Sequence, residues 1–120
     1  MRRIFTLTII LAACALPPAL ATANFSKKIN KPETAAQKLY SAYKSCNRAA
    51  ALKAASSRAV SKLFGKNCKP GDPDWKFMGC EKTGTTHLCS YYYEGGGVSM
   101  RVAGSASAGY SVRSVSFIAD

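Results

Sequence analysis

A chain of 120 residues, with 17 Lys and Arg against 6 acids and a net charge of +11, has room for one modest core and none for a second domain. Six carboxylates and a single histidine leave acid–base and metal chemistry few groups to work with. The positive balance favours anionic partners.

The chain opens as a targeting segment. Arg2 and Arg3 precede an almost unbroken apolar run, Ile4 to Leu16. That run has the length of a signal-peptide core and is too short to cross a bilayer. Pro17-Pro18 ends it, and "ALATA" offers small-x-small cleavage sites after Ala21 and after Ala23. Cleavage after Ala23 is the preferred expectation. Two features compete with it. "LAAC", Leu11 to Cys14, resembles a bacterial lipobox, which would anchor the chain through Cys14, but the apolar stretch before it is short. Arg2-Arg3 also brushes the twin-arginine pattern without its usual flanks. Removing residues 1–23 leaves 97 residues with 15 cations and 6 acids, a net charge of +9. It also leaves an even set of cysteines, Cys46, Cys68, Cys80 and Cys89. In a small exported domain this predicts two disulfides and a periplasmic or secreted location.

Residues 24–31 are basic and patternless, a flexible lead-in to one α+β domain over 32–120. Pro32 suits a first helical turn, with Glu33 favourable at its positive end. "ETAAQKLYSAYKSC" places Ala36, Leu39, Tyr40 and Tyr43 on one helical face, and Asn47 marks the end. "RAAALKAASSRAVSKLFGKN" is strongly helix-forming. Ser56-Ser57 interrupts it, Ser57 is placed to cap a second segment, and Gly65 to stop it. Val60, Leu63 and Phe64 form that segment's buried stripe. "KNCKPGDPD" is a loop, and in it Asp72 and Asp74 flank Pro73 as turn residues.

Four strands follow: Trp75 to Lys82, Thr86 to Tyr93, Val98 to Ala103 and Tyr110 to Ile118. A type II′ turn at Gly84-Thr85 sets Lys82 opposite His87 and Cys80 opposite Cys89, close enough to bridge. Cys46 then pairs with Cys68 by elimination. A turn at Gly95-Gly96 sets Tyr93 opposite Val98 and Tyr91 opposite Met100. A third near Ser107-Ala108 sets Met100 opposite Val115 and Val98 opposite Phe117. One face collects Met78, Cys80, Cys89, Tyr91, Tyr93, Val98, Met100, Val102, Val115 and Phe117, and the helices are expected to cover it. The other face holds serines with Trp75, Phe77, Tyr92 and Arg101.

Chemistry is sparse. The cysteine spacings are too wide for a zinc site, and oxidation removes the thiols. His87 is expected to be an exposed strand histidine. "EGGG" at Glu94 lacks the helix and lysine of a phosphate loop. No catalytic residue, metal or cofactor is assigned. The remaining site expectation is an aromatic-and-Arg binding patch, Trp75, Phe77, Tyr92 and Arg101, for a protein partner or a homodimer. Trp75→Ala should then weaken association with little change in melting temperature. Anionic envelope polymers or phospholipid head groups are the other expected partners; an exported chain offers no role for nucleic acid.

The order of parts resembles the nuclear transport factor 2-like group, also called cystatin-like or ketosteroid-isomerase-like. "ETAAQKLYSAYKSCNRAAALKAASSRAVSKLF" is similar to its N-terminal helices and "GYSVRSVSFIAD" to its closing strand. The resemblance implies N-terminal helices on a curved four-stranded antiparallel meander, a cystatin-like cone. It also implies a pocket with an Asp base and Tyr or Asp oxyanion donors in enzymatic members. No Asp falls inside the strands here, and only Tyr40, Tyr43, Tyr91 and Tyr93 are placed to line such a pocket. The expectation is therefore a non-catalytic envelope interaction module. The alternatives are a small-pocket ligand binder or degenerate enzyme, and a secreted basic effector or inhibitor.

Overall fold

The structure, a computed structural model, describes residues 28–119. The targeting segment, its cleavage sites and Cys14 lie outside them. Three helices come first: α1 (Pro32–Lys44), α2 (Arg48–Leu52) and α3 (Ser57–Phe64). A four-stranded antiparallel open sheet follows: β1 (Lys76–Thr83), β2 (Thr86–Tyr93), β3 (Gly96–Ser105) and β4 (Gly109–Ala119), in spatial order β1-β2-β3-β4. No described helix is long and apolar enough to cross a membrane.

Local chemistry sets the helix limits. Pro32 opens α1 with Glu33 in its first turn, and α1 stops at Lys44. Asn47 does not end α1; its side chain accepts the Ala50 N–H and starts α2. Ser56, one residue before the expected Ser57, caps α3 by accepting the Ala59 N–H. Its backbone is extended, as an N-cap requires. Gly65 closes α3 at φ +60°, a conformation that favours glycine.

The inner side chains of the sheet and the apolar faces of the helices share one core. Leu39, Val60, Val98, Met100, Val102 and Val112 are fully buried there, with many alanines from α1 to α3. Small residues on the helices allow close approach to the larger side chains of the sheet.

Register follows the turns. The first hairpin pairs Thr83 with Thr86, Lys82 with His87 and Cys80 with Cys89, as predicted. The second turns at Glu94-Gly95 rather than Gly95-Gly96. Tyr93 therefore pairs with Gly96, Tyr91 with Val98 and Cys89 with Met100. The slip is two residues, so both faces of the sheet keep their predicted occupants there. The third pairs Val98 with Phe117 and Met100 with Val115, then shifts by one residue between Arg101 and Val102. The extra residue is Arg113. β4 is also bridged to the α2–α3 junction: Val112 N–H donates to Ala54 O at 2.8 Å, and Ser56 N–H donates to Val112 O at 2.9 Å.

Both disulfides form. Cys80 is bonded to Cys89 across the β1–β2 pair, and Cys46 to Cys68, which ties the end of α1 to the loop after α3. Charge is unevenly spread along the chain. Residues 28–69 carry ten Lys and Arg against one acid, Glu33, whereas residues 70–119 carry four of each.

Candidate functional site

The four residues of the expected patch do not share a face. Between Phe77 and Gly79 the β1–β2 register shifts, and Met78 is the extra residue of a bulge. Cross-strand partners share a face, so Phe77, paired with Tyr91, points toward the helices. Its ring centroid lies 5.1 Å from that of Tyr91. Trp75, just before β1, also belongs to the core side. It stacks on Tyr43 at 5.0 Å, Tyr40 at 5.3 Å and Tyr93 at 5.5 Å. Only Tyr92 and Arg101 remain on the outer face, separated by four residues of strand, about 13 Å. Arg101 donates from Nη1 to Thr86 Oγ1 at 3.0 Å. The signal that separates the pairs is Gly79, at φ +96°: a glycine within a strand pattern marks a bulge.

The same bulge assembles a different outer surface. Met78, expected inside, is 67% exposed, beside Tyr92 at 54% and Ile118 at 56%. Lys76, Tyr92, Gly97 and Ile118 lie in one cross-strand row. Gly97 puts no side chain between Tyr92 and Ile118, which leaves an open groove of about 290 Å³ lined by Met78, Ser90, Tyr92 and Ile118. A Cβ on the adjacent Gly96 would collide with the Ile118 carbonyl, so the close approach of β3 and β4 here requires glycine. Phe117, also expected inside, is 45% exposed on the edge strand.

The tyrosines that the resemblance implied as pocket lining are packed around Trp75. Tyr40 and Tyr91 lie 4.7 Å apart, ring to ring. A chain of hydrogen bonds holds the loop onto α1. Trp75 N–H donates to the Tyr40 hydroxyl at 3.2 Å, and that hydroxyl donates to Asp72 Oδ1 at 3.3 Å. Asp72 Oδ1 also accepts the Asp74 N–H at 2.9 Å. That last bond, above all, holds the Asp72 carboxyl below its usual range. Burial, the largest influence on each, pushes the Tyr40 and Tyr91 phenols up. The Tyr91 hydroxyl has no hydrogen-bond partner among the described residues.

His87 pairs with Lys82 as expected but is half-buried rather than exposed, edge-on to Tyr110 at 5.7 Å. Among the described residues no three His, Cys, Asp or Glu side chains converge on a metal site. Comparison of the chain with protein-family models, with curated proteins and with solved structures found no match.

Proposed function

We propose that the protein is an exported, non-catalytic interaction module of the cell envelope, and that it binds its partner through the outer face of the sheet. The observation that carries this reading is the groove around Gly97, where Met78, Tyr92 and Ile118 are each more than half exposed and adjacent. Exposed apolar side chains grouped on a polar surface mark interaction sites, and Met and Tyr are favoured there. The two disulfides are compatible with an oxidising, exported location. The cystatin-like cone is the arrangement proposed for the helices and sheet. It is supported by the order of helices then meander and by the single core that the two layers share.

A photo-crosslinking residue placed at Tyr92 in the exported full-length chain tests the reading. A discrete adduct is expected from position 92 and none from Lys62, which is exposed on α3. Adducts from both positions alike, or from neither, would overturn it.

A further inference from the structure

We infer that a second site, apart from the sheet groove, binds a phosphate ester in the cleft where the lead-in, the end of α2 and β4 meet. The cleft has a volume of about 310 Å³. Lys28, Lys53 and Arg113 line it, with Tyr110 and Ser111, and no carboxylate lines it among the described residues. These cations are far apart in sequence; backbone bonds to β4 bring in Lys28 and Lys53, and Arg113 is carried by β4 itself. Lys28 precedes Ile29, whose carbonyl accepts the Tyr110 N–H at 2.8 Å. Lys53 precedes Ala54, whose carbonyl accepts the Val112 N–H at 2.8 Å. Arg113 is the extra residue of the β4 bulge, and its carbonyl accepts from Ser56 Oγ at 3.0 Å.

Three cations gathered without a carboxylate repel one another, and an anion relieves that repulsion. Bulges recur beside functional sites, and the one in β4 places its extra residue, Arg113, at the wall of the cleft. The donor set suits a tetrahedral oxyanion: a guanidinium fork, two ammonium groups, and the hydroxyls of Ser111 and Tyr110. Lys28 spends one donor on the Ser107 carbonyl at 3.1 Å and keeps two more. The volume sits at the lower end of small-molecule pockets and exceeds the needs of phosphate alone. Ile29, Ala108 and the Tyr110 ring offer apolar wall for an esterified group. The surplus of cations in residues 28–69 draws such ligands in.

Titration calorimetry with glycerol phosphate, and flotation with vesicles of phosphatidylglycerol or of phosphatidylcholine alone, test the site and separate its two sources. Saturable binding of glycerol phosphate assigns a soluble ester; binding to phosphatidylglycerol vesicles without it assigns a lipid head group. In either case Arg113→Gln and Lys53→Gln should each weaken binding about tenfold, as loss of a charge-assisted bond does. Lys62→Gln, which removes the same charge outside the cleft, should leave binding unchanged. All three side chains are exposed, so each variant should keep the wild-type melting temperature. Equal weakening by Lys62→Gln and Arg113→Gln would reduce the effect to diffuse charge and overturn the site, as would no binding of any probe. Crosslinking from position 92 is independent of these outcomes.

Discussion

Trp75 decides between a contact residue and a core residue, and its surroundings place it in the core. Its ring stacks on three tyrosines, and its backbone N–H donates to the Tyr40 hydroxyl. Trp75→Ala is expected to cost about 3 kcal/mol in urea unfolding, the low end for a large aromatic because the residue is only partly buried. Tyr92→Ser should change stability by no more than about 0.5 kcal/mol, as exposed substitutions do. The opposite ranking would return Trp75 to the surface. The phenols beside it give a second test. Folding raises the pKa of Tyr40 and Tyr91, so it favours their protonated forms. Their contribution is complete below the ordinary tyrosine value of about 10 and is lost as pH rises through the higher folded values. Late phenolate absorbance should therefore appear together with loss of near-ultraviolet circular dichroism. Tyr91→Phe should move alkaline unfolding to higher pH. Full ionisation of all six tyrosines in a still-native protein would refute the burial argument.

Elements show which parts of the fold were legible. The first hairpin was, because a two-residue turn with glycine at its first position fixes register outright, and the Cys80–Cys89 bond followed. The second was legible only in its faces, since three consecutive glycines offer several two-residue turns and side-chain direction has a period of two. The start of β1 is not legible from alternation alone. Alternation counted through Met78 turns Trp75 and Phe77 outward, whereas Gly79 marks the bulge that turns them toward the helices. The site was correspondingly half legible: Tyr92 and Arg101 were placed on the right face, Met78 and Ile118 were not expected in it. Gly79→Ala tests the bulge. Its φ of +96° strains any Cβ although space around it is open, so a loss of about 1–2 kcal/mol is expected from backbone alone. Deleting Met78 should cost little, because Phe77 and Gly79 then become neighbours and keep their partners Tyr91 and Ser90, so Phe77 and Trp75 stay in the aromatic stack. A deletion that lowers the urea midpoint as far as Trp75→Ala does would disprove the bulge, because in a regular strand it turns Phe77 and Trp75 to the opposite face.

The whole molecule depends on two covalent ties around a small core. Chain-entropy reasoning assigns about 3.4 kcal/mol to the Cys46–Cys68 bond and about 2.7 kcal/mol to Cys80–Cys89. Against a typical total of about 5–15 kcal/mol, losing both should leave the domain largely unfolded in a reducing compartment. Paired alanine variants, followed by thermal melting, should show a large drop for each bond. Mass spectrometry of protein produced in an oxidising compartment should find no free thiol among Cys46, Cys68, Cys80 and Cys89. The uneven spread of charge also affects how the protein meets its surroundings. Beside a polyanionic wall, a body that is positive in its first half and balanced in its second feels a torque before it feels contact. It turns its helices toward the wall and leaves its strands presented to the open side. Salt that shortens the Debye length should weaken this alignment. The groove around Gly97 would then face whatever approaches from beyond the wall.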